Sequence, residues 1–372
     1  MNEIIRNVSL FAGCGGIDLG FKWAGIATVA AVEIREYATN TLRDNFKDTF
    51  VLGPPHHSGD VREVTGEEIR KAINYWGEID VLTGGPPCQP FSVAAGQRFG
   101  KDDPRYKRKG NENKDVGDLL PDFVRLIKEL RPKVFLLENV EGLLTWNNGE
   151  YLTKSLEPIL DEYKFTKPQV IQAADYGVPQ YRRRMIIIGT RLTGVIPRLP
   201  EITHFGENTL LNPYATVEQA FENLTEDLPN FTTRKHTEES ISRYDKLKFG
   251  ERDKLGRVDR LHPYKPSKTI ISGGDKGGGR SHLHPFLPRT ISPRESARLQ
   301  TFPDDFVFSG PIGRQFTQVG NAVPPLLSYH LGRYIVEELL QRNDILGEDL
   351  SKVKHPIVSK LSIAPNLSEV TL

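Results

Sequence analysis

Asn7-Val8-Ser9-Leu10-Phe11-Ala12-Gly13-Cys14-Gly15-Gly16 joins two periodicities. Asn7 to Phe11 reads as a short buried strand. After the glycines, Ile17, Leu19, Phe21 and Trp23 begin an amphipathic helix. Strand, glycine turn and helix form the nucleotide-binding start of a Rossmann-like sheet. The glycines alone are a weak signal, because any tight turn uses them. A second apolar run, Thr28 to Val32, ends in Glu33. That acid stands about twenty residues beyond the glycines, where this architecture places an acceptor for ribose hydroxyls. The pairing favours an adenosine-type ligand over a solvated strand end. Asp60, in Gly59-Asp60-Val61, ends a short segment able to reach the same crevice.

The next strand, Ile79 to Thr83, breaks at Gly84-Gly85-Pro86-Pro87 and delivers Cys88 at its carboxyl edge. Open α/β sheets bind ligands and do chemistry at that edge. Free cysteine is more often a small buried packing residue. The stiffening prolines on both sides of Cys88 (Pro86, Pro87 and Pro90) are not what packing requires. From Ala94 to Gly117 apolar periodicity is lost, and Arg98, Lys101, Arg105, Lys107, Arg108, Lys109 and Lys114 accumulate. Such a run is usually a solvated loop. Next to Cys88, a lid closing on a polyanion competes with that reading.

Leu119, Phe123, Ile127 and Leu130 make a helical stripe, and Val134-Phe135-Leu136-Leu137 is an apolar strand ending in Glu138. A carboxylate at a buried strand end needs a partner or a task. Strands at Val170–Ala174 and Met185–Gly189 flank Arg182, Arg183 and Arg184, of which at least one should point inward. His56 and His57 are read as a surface loop rather than metal ligands, since no carboxylate or cysteine cluster accompanies them. Thr65 with Glu68, Thr216 with Gln219 and Ser292 with Glu295 read as capping boxes. Beyond Thr190 the strand–helix rhythm stops, and prolines, glycines and aromatics alternate with basic residues to about Pro288. An apolar helix with Leu326, Leu327, Leu331, Ile335 and Leu339 follows, and Asn343 to Leu372 reads as a weakly ordered tail.

The bulk numbers fit an enzyme with local basic patches. The chain has 372 residues and a formal net charge of +1, so nucleic-acid binding must rest on patches rather than on overall charge. Its two cysteines are too few for a disulfide framework or a cysteine-rich zinc site, so no metal is expected. No apolar run is long enough to span a bilayer, and no signal peptide is visible; a cytoplasmic monomer is the expectation.

Six blocks carry a resemblance. Phe11–Gly16, Pro86-Pro87-Cys88-Gln89, Glu138-Asn139-Val140, Gln180–Arg184, Arg294-Glu295 with Arg298-Leu299-Gln300, and Gly320-Asn321-Ala322-Val323, in this order, resemble the DNA cytosine-5 methyltransferases. The resemblance implies an α/β, Rossmann-like S-adenosylmethionine-dependent methyltransferase sheet with helices on both faces, plus a small irregular target-recognition domain. The implied division is a catalytic domain over 1–190, target recognition over 191–313, a return to the catalytic domain over 314–341 and a tail over 342–372.

By the same resemblance Cys88 is the nucleophile that adds to carbon 6 of a flipped-out cytosine. Glu138 matches the acid that contacts ring nitrogen 3 and the exocyclic amine, while Arg182 and Arg184 match positions that hold the cytosine carbonyl and a nearby phosphate or acid network. S-adenosylmethionine is the implied cofactor. Phe11 is placed against its adenine, Glu33 on the ribose hydroxyls, Asp60 on the adenine amine, and Asn321 with Val323 at the methionine end. Gly13, Gly15, Ile34, Val61, Pro87 and Leu119 are assigned to the same pocket. Gln89, Ser92, Arg98, Lys107, Arg108 and Lys109 are the candidate contacts to double-stranded DNA. Ser9 and Ile34 depart from the family pattern, where an acid and a tryptophan are frequent.

The chain leaves no room for long regulatory domains, which fits a bacterial or phage enzyme acting as the protective partner of a restriction endonuclease. A transfer-RNA cytosine-5 methyltransferase is disfavoured because the chain has no cysteine beyond Cys88 for that family's second signature. A non-catalytic methyltransferase partner is disfavoured because both Cys88 and Glu138 are present. A nicotinamide-dependent oxidoreductase would leave those residues without a role.

Overall fold

The computed structural model describes residues 4–87, 119–206, 211–255, 258–271 and 282–361. β1 (Ile5–Leu10), β2 (Ile26–Val32), β3 (Phe50–Leu52), β4 (Val81–Gly84) and β5 (Val134–Asn139) form the parallel part of one sheet. β8 (Arg183–Thr190) adds antiparallel to β5, and β6 (Lys164–Phe165) and β7 (Gln169–Gln172) both pair with its outer side. The strand order is β3-β2-β1-β4-β5-β8-β6, so the chain changes direction across the sheet between β1 and β4. That switch opens a crevice at the carboxyl ends of the two strands.

β5 and β8 are apolar on both sides because both faces are covered. Val134, Leu136, Ile186 and Ile188 enter one core, while Phe135, Leu137, Met185 and Ile187 enter the other. Each large side chain so buried contributes about 1.5–3 kcal/mol. α1 (Gly16–Trp23) and α2 (Glu36–Asn45) lie against the first core, and α3 (Gly66–Ala72) and α4 (Leu120–Leu130) cover the second. α1 packs tightly on the late helix Pro325–Tyr334 because it carries glycine at the contact. A Cβ built on Gly20 would stand 2.2 Å from the Pro325 carbonyl oxygen.

The expected strands and helices are present, with ends displaced by up to four residues; β3 had no clear signal in its three residues. At α3 the Thr65 hydroxyl accepts from the Glu68 N–H, but the Glu68 carboxylate reaches His57 Nε2 at 3.0 Å instead of closing the expected capping box. The Thr216–Gln219 and Ser292–Glu295 boxes are complete.

Between 191 and 313 regular structure is sparse. Two two-residue strands, β9 (Arg252–Asp253) and β10 (Val258–Asp259), pair antiparallel, and Tyr244, Val258 and Leu283 form a small satellite core. The capped helix Pro293–Leu299 is buried along its whole length. The tail expected from residue 343 is not loose as far as Leu361. Leu350, His355 and Val358 are buried, His355 Nε2 bonds the Arg298 carbonyl at 2.9 Å, and the Glu348 N–H donates to the Trp23 carbonyl at 2.8 Å. Leu350, Val353, Ile357 and Leu361 recur every three or four residues, but the segment forms only short 3-10 turns, Leu350–Lys352 and Val358–Lys360, so contacts to the rest of the chain rather than a continuous helix order it. Among the described residues no helix is long and apolar enough to cross a membrane.

Candidate active site

The glycine turn is shaped by left-handed backbone. Phe11, Gly13 and Gly15 have φ of 54°, 57° and 86°. Phe11 thus adopts a conformation that non-glycine residues rarely accept, a feature that clusters at functional sites. A Cβ on Gly13 would meet nothing within 4 Å, so the turn faces open space. The Gly13 N–H donates to Glu33 Oε2 at 2.9 Å and the Arg35 N–H to Oε1 at 2.8 Å. Burial pushes the Glu33 pKa up, and these two donors oppose that shift. Gly53 and Gly59 let neighbouring backbone close over this residue, since a Cβ on either would lie 2.3 or 2.0 Å from the Glu33 carbonyl oxygen.

Around that turn stand the other expected cofactor residues. Ile34 is half exposed and Val61 is buried. Asp60 receives the Arg62 guanidinium through Nε, which holds its carboxyl below the usual range. Asn321 ends the helix Ile312–Asn321 and is exposed, and Val323 is buried two residues on. A Cβ on Gly16 would be 2.2 Å from the Val323 carbonyl oxygen, so this turn and the glycine turn touch. Leu119 precedes α4 and Pro87 follows β4, both half-buried. An open glycine turn, a buried carboxylate and an apolar flank suit an adenosine-containing ligand.

Glu138 lies at the end of β5, beside the turn that leaves β4. Asn139 Nδ2 donates to the Pro86 carbonyl at 3.1 Å, tying that turn to β5. A Cβ on Gly85 would stand 2.8 Å from Glu138 Oε2, so only glycine lets the carboxylate lie so close. The β5–β8 register pairs Glu138 with Ile186 and sets Arg184 diagonally opposite. Arg184 Nε meets Glu138 Oε1 at 2.9 Å, with both side chains mostly buried. The residues at 88, 89, 92, 98 and 107–109 (Cys88, Gln89, Ser92, Arg98, Lys107, Arg108 and Lys109) lie outside the described residues.

The three consecutive arginines go three ways. Arg184 meets Glu138. Arg183, one residue along β8, turns outward and forms a two-bond fork with Glu141, at 2.9 Å for each bond. Arg182 is wholly buried and donates to the backbone carbonyls of Gly320 at 3.0 Å and Ile270 at 3.4 Å. Burial, seconded by the nearby Arg184 charge, pushes its pKa well down.

Two structural features had no role at the level of sequence. Gln180 Nε2 donates to Gln300 Oε1 at 3.0 Å, and Gln300 Nε2 donates to the Val319 carbonyl at 2.7 Å and the Ala322 carbonyl at 3.4 Å, linking three of the quoted blocks. Their co-occurrence in those blocks was the available signal. Asp18, on the buried face of α1, accepts from Thr28 Oγ1 at 2.9 Å, and burial raises its pKa to about 6. His57 has a structural partner in Glu68, and no group of three metal-ligating side chains occurs among the described residues.

The family profile described as C-5 cytosine-specific DNA methylase matches residues 5–337. The type II methyltransferase M.NgoFVII of Neisseria gonorrhoeae is 34% identical over 93% of this chain and 94% of its own length. Type II methyltransferase M1.HphI of Haemophilus parahaemolyticus is also 34% identical, over 90% and 87%. The crystal structure of a putative DNA modification methyltransferase encoded within a prophage (E. coli) superposes with a TM-score of 0.70 at 26% identity, covering 90% of this chain and 99% of that one. A match over nearly the whole chain, on the fold and ordered blocks described above, places this protein in the family of C-5 cytosine-specific DNA methylases.

Proposed function

We propose that this DNA cytosine-5 methyltransferase works through a covalent Cys88 adduct on a cytosine flipped out of the duplex. The observation that supports this reading most is the Glu138–Arg184 pair, held beside the Gly85-Pro86-Pro87 turn that leads into Cys88. Carbon 5 of cytosine is a poor nucleophile. The Cys88 thiolate attacks carbon 6, and the displaced ring electron pair makes carbon 5 nucleophilic. Glu138 supplies the proton shared with ring nitrogen 3 as charge develops there, and accepts from the exocyclic amine, while Arg184 fixes the carboxyl group for that contact. After methylation a base takes the carbon-5 proton, and the returning electron pair expels the Cys88 thiolate.

S-adenosylmethionine, when bound, supplies an electrophilic methyl group. Phe11, Gly13, Gly15, Glu33, Ile34, Asp60, Val61, Pro87, Leu119, Asn321 and Val323 are the residues that would hold it. The open space at Gly13 and the buried Glu33 carboxylate fit that ligand. Gln89, Ser92, Arg98, Lys107, Arg108 and Lys109 serve as DNA contacts, and the region 191–313 reads the sequence. Flipping the base costs a few kcal/mol, which contacts to the opened duplex must return. The cellular role is protection of one sequence in bacterial cytoplasm against a cognate endonuclease.

Bisulfite sequencing of DNA from expressing cells tests this reading. Cytosines protected within one fixed sequence are the expected result, and Glu138→Gln should lower the methylation rate by roughly 10²–10⁴ with a smaller loss of DNA affinity. Equal losses in rate and affinity would instead make Glu138 a structural residue.

A further inference from the structure

Arg182 is buried among elements that carry different tasks. Its Nη2 donates to the carbonyl of Gly320, the residue before Asn321, and its Nη1 donates to the carbonyl of Ile270, in the region 191–313. Nε has no partner among the described residues. Ile270 ends a segment that runs beside Pro179–Arg182. The Tyr181 N–H donates to the Ser267 carbonyl at 2.8 Å, the Ser267 N–H to the Pro179 carbonyl at 2.9 Å, and Thr269 Oγ1 to the Tyr181 carbonyl at 2.7 Å. Gln180 completes the seam, accepting from the Ile270 N–H at 3.0 Å. Both polar backbone groups of Ile270 are therefore held by side chains from one short stretch, Gln180 to Arg182.

The other end of the connection reaches the cofactor wall. Gln180 binds Gln300, which binds the Val319 carbonyl, and Arg182 binds the next carbonyl, Gly320. Cys14 of the glycine turn meets the same helix end, its Sγ–H donating to the Gln318 carbonyl at 3.6 Å. A guanidinium is a rigid plane, so a displacement at one carbonyl tilts the donor offered to the other. In a buried site no water stands ready to replace a lost bond, and an unpaired acceptor is costly.

We propose that Arg182 is a positioning residue that couples occupancy of the cofactor pocket to the order of the recognition segment Ser267–Ile271. The coupling runs from the turn at Gly320–Val323 through the two carbonyls on Arg182, and it rests on the cofactor reading given above. A bound cofactor that steadies Asn321 and Val323 fixes the Gly320 carbonyl, which fixes the guanidinium, which fixes Ile270. DNA then meets a recognition segment already in place when the cofactor is loaded.

Hydrogen–deuterium exchange of the full chain, with and without S-adenosylhomocysteine, tests this. Binding should slow exchange at residues 319–323 and also at 267–271, the latter by about fivefold or more, the lower end of a typical coupling. In Arg182→Met the response at 267–271 should vanish while that at 319–323 remains. Arg182→Lys, which keeps a buried cation but not the planar fork, should lose most of the distant response and serves if the methionine variant does not fold. No protection at 319–323 in the wild type would mean that the cofactor reading has failed. Protection at 319–323 without any at 267–271, or an unchanged distant response in a folded variant, would overturn the coupling itself.

Discussion

The parallel sheet and the region 191–313 satisfy their backbones by different means. In the sheet each interior strand finds donors and acceptors on its neighbours, as β1 does between β2 and β4. In the later region strands are two residues long, and buried arginines bond many of the carbonyls instead. Arg294 donates to the carbonyls of Pro229, Pro303 and Phe306, and Arg298 to those of Ala220 and Glu222 while paired with Asp304. Arg260 takes Pro285 and Tyr244, and Arg182 takes Ile270 and Gly320. A ladder repeats and an arginine staple does not. The fixed fork of donors suits scattered acceptors, and it lets irregular backbone stay buried without orphaned groups. A region built this way can change its loops while keeping its anchors.

Removing a staple is the harshest test of that contrast. Arg294→Ala would strand the two buried carbonyls of Pro303 and Phe306 at about 1–3 kcal/mol each and free the part-buried carbonyl of Pro229, so a loss of at least about 2 kcal/mol is expected in urea unfolding. A loss below about 1 kcal/mol, the range of an exposed pair, would mean that water replaces the staple. Next comes Gly20→Ala on the sheet side. Its Cβ would strike the Pro325 carbonyl oxygen, and overpacking of this kind costs about 1–3 kcal/mol. A neutral outcome would show that the contact between α1 and the late helix is soft.

Acid should weaken the fold through its buried histidines. Burial holds the pKa of His284, His330 and His355 down at about 4. Each binds a proton more readily when unfolded, so the stability their burial permits is full above the unfolded value near 6.5 and falls as pH drops toward 4. Asp18, raised to about 6, and Glu33, also raised by burial, act in the opposite sense over part of that window, but His204, His236 and His282, likewise lowered by burial, add to the three histidines. The urea midpoint should therefore decrease from pH 7 to pH 5, and His355→Gln should reduce that decrease. A midpoint that rises on acidification would contradict the sign. The smallest effect belongs to Arg183→Ala, whose fork with Glu141 is exposed and contributes at most about 1 kcal/mol.

The same contrast explains what could be read in advance. β1, its glycine turn and α1 carry periodicity and punctuation, so the Rossmann-like start and Glu33 were legible from Asn7 to Glu33. Glu138 was legible as an acid ending an apolar strand, and its partner was within reach once three arginines were seen where β8 begins. Which arginine meets Glu138 was not legible, because it depends on the β5–β8 register. The burial of Arg182 depends on contacts 88 and 138 residues away in the chain, which no local pattern encodes. Residues 343–361 were misjudged because charged residues and Pro356 interrupt the three- and four-residue spacing of Leu350, Val353, Ile357 and Leu361, and contacts to Arg298, Trp23 and Arg333 complete their order.

The central claim is that Cys88 forms a bond to carbon 6 of the target base. A duplex carrying 5-fluorocytosine at the methylated position makes it directly measurable, because fluorine cannot leave as a proton does and the adduct persists. The wild-type chain with S-adenosylmethionine should give a denaturant-resistant protein–DNA complex, and tryptic mapping should place the linkage on Cys88, with no complex from Cys88→Ser. A complex that forms equally well with Cys88→Ser, or a linkage mapped to another residue, would contradict the account.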